Sequence, residues 1–426
     1  MVSNISEDGT ESRGEQPLII GYADVVVGGQ AGSEGKGAVA AHLIRTGDYG
    51  AAVRPGSTNA GHTVYRPGGG SYVHQALPSA ASVDPSVTCY MAPESSFSLG
   101  ELLEEYQDVV DFWRGDPQGS WGEWALSIDP QAAVITESHR KTEADRKLGE
   151  DIGSTVHGCG AVRVEKIWRS AGDVRLAGGY DALSDFIERE RVPDALAGHG
   201  RRGERVMVEG TQGTELSMNQ SGHWPHATSR DCIASSFLSS CGLPPAAAGD
   251  VWAVFRTHPI RVGGNSGEMA AEEIDFETIA ERAGHDEPPV EYTSVTNKKR
   301  RIFEWSDEEF ERSLTLNHPS KVAITFLDYL DADNYGVQTW WGLTAGTREW
   351  VRDKHEKAMV HCGAEVALLK TGPKPEHTID LRREDGPVDV PPVSLPKAPD
   401  GDAEPDEAAW FGDYRGPFAA EGGVDG

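Results

Sequence analysis

Residues 24–44 read DVVVGGQAGSEGKGAVAAHLI. An apolar run at residues 25–27 is followed by a glycine-rich loop at residues 28–37 and then by an alanine-rich, helix-like stretch. A strand, a glycine loop and a helix in this order direct backbone N–H groups and a helix N-terminus at a bound anion. The segment therefore predicts a phosphate site in which Lys36 supplies a point charge.

The glycine loop departs from the ordinary phosphate-binding loop at two positions. Gln30 stands where that motif has its first glycine, and Gly37 stands where it has the serine or threonine that binds a metal ion. On these residues alone, a plain strand-to-helix turn without a ligand remains the alternative.

Four further apolar runs have the character of buried strands. They lie at residues 206–208, 251–255, 322–326 and 364–369, and amphipathic stretches separate them. This alternation predicts an α/β fold with one large, mostly parallel, twisted sheet flanked by helices. A glycine-bearing or polar segment follows each run, so the functional sites are expected at one edge of the sheet.

Composition narrows the class of protein. The formal net charge of -29 disfavours a nucleic-acid partner, because such binding rests on lysine and arginine neutralising phosphates. The five cysteines are scattered without a Cys-x-x-Cys pair, which disfavours a disulfide framework and a zinc site. No apolar run approaches the roughly 18 residues of a membrane span, and the N-terminus is polar and acidic. A soluble, cytoplasmic protein is expected.

The two ends differ from the body of the chain. Residues 1–18 lack apolar periodicity and are expected to form a disordered leader, and residues 384–426 are expected to form a disordered tail rich in acid, proline and glycine. Residues 19–383 are left as the catalytic domain.

A second segment identifies the glycine loop. Residues 54–64 read RPGSTNAGHTV. Together, the two segments resemble the signature loops of adenylosuccinate synthetases, G-x-Q-x-G-D-E-G-K-G followed by N-A-G-H-T-V. The resemblance implies that family's fold, with smaller subdomains beside the main sheet, and its activity. The family is a set of Mg²⁺-dependent ligases that join L-aspartate to the six-position of a purine nucleotide, driven by a nucleoside triphosphate.

The same resemblance implies roles for the residues of both loops. His62 would be the catalytic acid that stabilises charge on the purine six-oxygen, with Lys36, Ser33 and Gln212 completing the catalytic set. Ser33 and the Gly61 carbonyl would be ligands of the metal ion. The phosphates of the energy nucleotide would be held by Gly32, Ser33, Glu34, Gly35, Lys36, Gly37, Asn59 and Thr63.

Three later segments resemble the family's acceptor site for the purine monophosphate. Residues 152–155 (IGST) are similar to I-G-T-T, residues 209–214 (EGTQGT) to E-G-A-Q-G-T, and residues 225–230 (PHATSR) to Y-V-T-S-S. Arg169 resembles an arginine that reaches the neighbouring subunit's substrate, which implies a homodimer with Arg169 acting in trans. The implied acceptor-binding residues are Ser33, Asn59, Ser154, Thr155, Arg169, Gln212 and Thr228.

Two more segments are similar to the sites for aspartate and for the base of the energy nucleotide. Residues 293–301 (TSVTNKKRR) resemble A-T-T-G-R-x-R-R, which implies aspartate contacts from Val295, Thr296, Lys298 and Arg300. Residues 325–328 (TFLD) and 370–373 (KTGP) stand where the family has T-K-L-D and S-T-G-P. These imply base contacts from Asp328, Lys370, Gly372 and Pro373. Because Phe326 and Lys370 depart from the pattern, ATP and GTP both remain open as the energy nucleotide.

The departure with the largest chemical consequence is Ser33. The family has aspartate there, which takes the proton from purine N1 and binds magnesium, and a neutral serine performs neither task well. Three explanations follow: a catalytically dead nucleotide-binding relative, an inosinate (IMP) enzyme with a substitute base, or an enzyme for another purine. The third is favoured, since guanine adds an amino group beside N1 that a serine hydroxyl can bind. The chain thus resembles the branch of the family, in viruses and some prokaryotes, that converts dGMP to 2-amino-2'-deoxyadenylosuccinate.

Overall fold

The structure is a computed structural model that describes residues 20–67, 69–115, 124–169, 175–187, 190–293 and 298–383. The expected leader, the expected tail, and the predicted aspartate contacts Val295 and Thr296 lie outside the described residues.

Strands and helices alternate along most of the described chain. The strands are β1 (Ala23–Gly28), β2 (Tyr49–Arg54), β3 (His62–Tyr65), β4 (Ser71–His74), β5 (Thr88–Met91), β6 (Ser96–Ser98), β7 (Leu126–Ile128), β8 (Ala133–Ile135), β9 (Arg205–Glu209), β10 (Ala248–Arg256), β11 (Ile260–Arg261), β12 (Glu273–Ile274), β13 (Arg301–Phe303), β14 (Lys321–Thr325), β15 (Glu365–Lys370) and β16 (Thr378–Asp380). The helices are α1 (Lys36–Thr46), α2 (Leu99–Arg114), α3 (Glu137–Asp145), α4 (Leu148–Asp151), α5 (Cys159–Trp168), α6 (Val192–Arg201), α7 (Ala234–Ser240), α8 (Phe276–Ala283), α9 (Asp307–Asn317) and α10 (Ala345–Cys362).

One nine-stranded sheet organises the fold, in the order β16-β15-β14-β10-β1-β9-β2-β5-β7. Its neighbouring strands pair in parallel except for β15 and β16, which are antiparallel. All five strands expected from the sequence belong to this sheet, so the predicted α/β class with a mostly parallel sheet is confirmed. Smaller sheets join β11-β13-β12, β3-β4 and β6-β8.

The central strand β1 is buried on both faces, which explains its unbroken apolar run. Val25 and Val27 pack on one face in the same core as Phe237 of α7 and Leu314 of α9. Val26 points to the other face, into the core that contains Val39 and Leu43 of α1. Side chains alternate along a strand, so helices cover both faces of the sheet.

Parallel strands end at a common edge, and this geometry determines where the loops lie. The segments after β1, β2, β9, β10, β14 and β15 leave the sheet at their carboxyl ends. Within the described part of the chain, no helix is both long and apolar enough to cross a membrane.

Candidate active site

A cavity of about 510 Å³ is lined by loops that follow the parallel strands. It brings together most of the residues predicted from the sequence, although they come from distant parts of the chain. The predicted residues that line it are Gly32, Ser33, Gly35, Lys36, Gly37, Asn59, Gly61, His62, Thr63, Thr155, Gln212, Arg300, Asp328, Lys370, Gly372 and Pro373.

A second cavity of about 190 Å³ adjoins the first. Asn59 and Gln212 line both cavities, and the predicted phosphate contact Thr228 lines the second. The two cavities therefore meet at an amide pair that follows β2 and β9.

The glycine loop is braced from inside by Glu34. Its buried carboxylate accepts hydrogen bonds from the backbone N–H groups of Gln30, at 3.1 Å, and Gly32, at 2.8 Å. Lys36 Nζ lies 2.5 Å from the same carboxylate, and both side chains are buried. The Glu34 carboxylate thus shapes the loop, while the lysine is held at the wall of the larger cavity.

Gly37 explains one departure from the ordinary phosphate loop. A Cβ atom at this position would lie 2.8 Å from the Cβ of His62. Only glycine lets the first turn of α1 approach β3 this closely. The close approach places the phosphate loop and the histidine loop on one cavity.

His62 is held by Glu209, the last residue of β9. His62 Nδ1 hydrogen-bonds to the Glu209 carboxylate, which also accepts from Ser79 through its backbone N–H, at 2.7 Å, and its hydroxyl, at 2.6 Å. Burial and the nearby Arg54 lower the pKa of His62 to about 4, although Glu209 opposes this shift. The imidazole is therefore neutral near pH 7, and an ionised Glu209 fixes its proton on Nδ1.

Arg256, at the end of β10, connects the glycine loop to the predicted aspartate site. Both oxygens of Glu291 pair with the buried Arg256 guanidinium, and Arg300 Nη1 lies 2.7 Å from Glu291 Oε2. Tyr329 donates its hydroxyl to the same carboxylate at 3.0 Å. Arg300 thus faces the larger cavity as part of a buried charge network.

Asp328 has the features of a base-recognition residue. Burial raises its pKa to about 6, and its Oδ1 atom has no hydrogen-bond partner among the described residues. A buried carboxylate oxygen without a partner is costly, so a ligand donor in the cavity would satisfy it. Lys370 Nζ is engaged nearby, donating to the Lys374 carbonyl at 3.1 Å and the Thr378 hydroxyl at 2.9 Å.

Four predicted residues line neither cavity. Glu34, predicted to hold the phosphates, is fully buried, and its carboxylate is engaged with its own loop. Ser154 caps its own turn, with its hydroxyl accepting from the Val156 N–H at 3.2 Å. Lys298 is exposed, and Arg169 is exposed at the end of α5 beside Ile167 and Trp168.

Sequence reasoning missed several residues that the structure brings to the site. Glu209 begins the segment at residues 209–214 but was not predicted as a site residue, and Arg256 directly follows the predicted strand at residues 251–255. The second cavity is also lined by Arg163, Lys166 and Arg230. For the basic residues, the available signal was the scarcity of cations in so acidic a chain.

A glycine loop ahead of α1 and two adjoining cavities are features of enzymes that bind a nucleotide beside a second substrate. Comparison with known proteins then identifies the family. The adenylosuccinate synthetase family profile matches residues 25–192 and 180–339. The chain belongs to the adenylosuccinate synthetase family of carbon–nitrogen ligases.

Two archaeal relatives support this membership. The adenylosuccinate synthetase of Methanocaldococcus jannaschii is 33% identical over 374 residues, which cover 84% of this chain and 97% of that protein. The adenylosuccinate synthetase of Thermococcus onnurineus is 33% identical over 363 residues, covering 84% and 98%.

Two solved structures are similar in fold. The succinoaminodeoxyadenylate synthetase of cyanophage S-2L, bound to dGMP and to dATP as an energy donor, is 28% identical with a TM-score of 0.69, covering 85% of this chain and 95% of that one. The fully ligated adenylosuccinate synthetase of Plasmodium falciparum has a TM-score of 0.71 at 16% identity, covering 84% and 100%. The second likeness shows the fold alone.

Proposed function

We propose that this enzyme condenses L-aspartate with the 6-oxo position of dGMP. The reaction consumes ATP or GTP, passes through a 6-phosphoryl purine and yields 2-amino-2'-deoxyadenylosuccinate. The observation that carries this proposal is Ser33, which stands in place of the family's aspartate and lines the larger cavity.

The chemistry of Ser33 favours a guanine acceptor. Its side chain is short and neutral, and its hydroxyl can accept a hydrogen bond from a purine 2-amino group. An aspartate there suits hypoxanthine, which has no 2-amino group, because the carboxylate can take the N1 proton. Of the described residues that line the larger cavity, only Asp328 carries a carboxylate, and it follows β14 in the segment matched to energy-nucleotide recognition. No substitute carboxylate therefore stands beside Ser33 in the described lining.

The comparisons support both the proposal and its alternative. The cyanophage enzyme, with dGMP bound, favours the guanine acceptor. The archaeal relatives carry the name of the ordinary enzyme, which favours IMP with GTP. Ser33 decides our preference for dGMP.

The residues of the larger cavity have distinct tasks in this proposal. Lys36 and the loop N–H groups orient the γ-phosphate for attack by the purine six-oxygen. His62 faces this oxygen through Nε2. As charge develops on the oxygen, Nε2 takes up a proton from solvent and donates it in a hydrogen bond to the oxygen, and the ionised Glu209 on Nδ1 stabilises the imidazolium. Arg300 binds a carboxylate of aspartate, whose amine then displaces phosphate. The N1 proton leaves to water or to the carboxylate of the bound aspartate.

Magnesium is the cofactor that we propose at the phosphate loop. Mg²⁺ takes oxygen ligands and is commonly held by a few protein groups together with substrate phosphates. Ser33 and Gly61 line the larger cavity and offer a hydroxyl and a carbonyl, whereas the Glu34 carboxylate is engaged with its own loop. When bound, the ion supplies charge neutralisation on the transferring phosphoryl group.

The energy nucleotide is placed by its base in this proposal. The unpartnered Oδ1 of Asp328 accepts from an amino group, which both adenine and guanine carry. This feature supports a purine triphosphate without choosing between ATP and GTP.

The active enzyme is proposed to be a homodimer in which Arg169 acts in trans. Arg169 lies outside both cavities of its own chain, beside Ile167 and Trp168, which are 65% and 67% exposed. An exposed apolar pair next to an exposed arginine fits a contact with a second copy.

An omission assay tests the ligase proposal against a binding-only relative. Phosphate release is measured with dGMP, L-aspartate, MgCl₂ and ATP or GTP, and then with each component left out. We expect release only in the complete mixture, with a product whose mass equals dGMP plus aspartate minus water. Nucleotide binding without an aspartate adduct from either dGMP or IMP would identify a catalytically dead protein.

A further inference from the structure

The end of β10 holds the glycine loop at two points through one residue. The Gln30 side-chain amide accepts from the Arg256 backbone N–H at 2.9 Å and donates to the Arg256 carbonyl at 3.1 Å. The Arg256 guanidinium reaches further along the loop, where Nη1 lies 3.4 Å from the Ser33 carbonyl oxygen. Arg256 therefore contacts both sides of the loop tip.

Ser33 has a backbone conformation that requires support. Its φ is 58°, in the left-handed region, which is unfavourable for L-residues other than glycine. Aspartate and asparagine tolerate this region better than most residues do. Serine lacks the greater tolerance for this conformation that the family's aspartate has, and the Arg256 side chain contacts the Ser33 carbonyl in this conformation.

The Arg256 side chain is itself fixed by an aromatic ring. Its guanidinium carbon lies 3.8 Å from the centroid of the Phe326 ring, and Glu291 clamps the opposite end of the group. Phe326 is held in turn, because its carbonyl accepts from the Thr257 hydroxyl at 2.7 Å and from the Tyr329 N–H at 3.0 Å. An arginine on an aromatic face is attracted by the negative face of the ring.

The contact with Arg256 gives a physical reason for phenylalanine at position 326. The family pattern T-K-L-D has lysine there, and a lysine would bring a second cation towards the Arg256 guanidinium instead of an attractive ring. Positions 33 and 326 both depart from the family pattern. They are far apart in the sequence, yet Ser33 and Phe326 both contact the guanidinium group of Arg256.

We infer that Arg256 and Phe326 are positioning residues for acceptor recognition, because the stack holds the Ser33 carbonyl and thereby sets where the Ser33 hydroxyl meets the purine. This inference rests on the proposed role of Ser33. Neither residue reacts with the acceptor. The discrimination between guanine and hypoxanthine then belongs to the trio of Ser33, Arg256 and Phe326 rather than to Ser33 alone.

A double-mutant cycle tests the inference. Phe326→Leu and Phe326→Lys are each made in the unaltered protein and in the Ser33→Asp background. The value of kcat/KM for the purine acceptor is measured at saturating triphosphate, because Phe326 also lines the larger cavity. We expect both changes to lower it by roughly tenfold in the unaltered protein and at least threefold less in the Ser33→Asp background, the size of coupling expected for connected residues.

Two controls separate positioning from general damage. Phe112→Leu removes another ring that contacts an arginine, because the Arg66 guanidinium carbon lies 4.4 Å from the centroid of the Phe112 ring. Phe112 belongs to α2, whose residues line neither cavity, so this change should leave the acceptor kcat/KM unchanged. The Tm of each variant reports any loss of stability. A loss of stability alone would lower kcat/KM equally whether residue 33 is serine or aspartate.

Equal effects of the Phe326 changes in both backgrounds would overturn the inference. The cycle uses whichever of dGMP and IMP the unaltered protein converts. A preference for IMP would therefore overturn the dGMP assignment, while the coupling between positions 33 and 326 would still be measured.

Discussion

Glu209 holds His62 by Nδ1 in a buried hydrogen bond at the wall of the larger cavity, and Ser79 donates to both oxygens of the same carboxylate. The arrangement fixes both the tautomer and the orientation of the ring. In the proposed reaction, this histidine with its lowered pKa is neutral at first and would be protonated as negative charge develops beside it.

Replacement of Glu209 by glutamine is expected to lower kcat by roughly 10²-fold or more, since the imidazolium loses its counter-charge and the ring loses its preferred tautomer. KM for both nucleotides should change little. Steady-state kinetics with the purified variant measures this. Glu204→Gln, which alters a half-exposed carboxylate on His199, is the matched control and should retain full activity. A kcat for Glu209→Gln within twofold of the unaltered value would contradict the proposed support of His62 by Glu209.

Replacement of Ser33 by aspartate is expected to reverse the acceptor preference. The carboxylate fills the space for the 2-amino group and can accept the N1 proton, so kcat/KM should fall for dGMP and rise for IMP, each by roughly 10²-fold. Product mass after incubation with each acceptor gives the answer. Ser71→Asp is the control, because it alters an exposed strand residue and should change neither kcat/KM value. Ser217→Asp would be unsuitable, since Ser217 is fully buried. Unchanged use of dGMP by Ser33→Asp would show that position 33 does not discriminate.

Asp328 predicts a pH dependence of triphosphate binding. Burial raises its pKa to about 6, so the carboxylate that accepts from the base is lost as the pH falls through this value. KM for the triphosphate should therefore rise below about pH 6, by up to tenfold per pH unit once the group is protonated. Asp328→Asn should have a raised KM that no longer varies between pH 5 and 7. A KM that rises equally in both proteins would assign the titration to another group.

Arg300 is expected to carry aspartate affinity. Arg300→Met should raise KM for aspartate by at least roughly tenfold, because a charge-assisted bond to a carboxylate is lost. The neighbouring Arg301 pairs with Glu273 and lines neither cavity, so Arg301→Met is the matched control. Equal effects of the two changes on KM for aspartate would contradict the assignment.

The parallel core of the fold could be predicted from the sequence because strands buried on both faces read as continuous apolar runs. β1, β9, β10, β14 and β15 all gave this signal. The other four strands of the sheet, β2, β5, β7 and β16, did not. β16 is only three residues long and β7 likewise, and such short segments carry too little apolar periodicity to be distinguished from loops.

The candidate site was predicted as far as local motifs reach. The glycine loop and the loop that contains His62 are each one continuous stretch of sequence, and residues of both line the larger cavity. Glu209 contacts His62, which lies 147 residues away in the sequence, and Arg256 contacts Gln30, which lies 226 residues away. Because these contacts join distant segments, no local sequence pattern predicts them. The motif does not specify which way the Glu34 side chain points. Its hydrogen bonds to the N–H groups of its own loop therefore could not be predicted.

The acceptor itself provides the most direct test of the account. The purified enzyme is supplied with equimolar dGMP and IMP, L-aspartate, MgCl₂ and an equal mixture of ATP and GTP, and the two aspartate adducts are quantified by mass. The account predicts that 2-amino-2'-deoxyadenylosuccinate is the dominant product. Dominant formation of adenylosuccinate would contradict it.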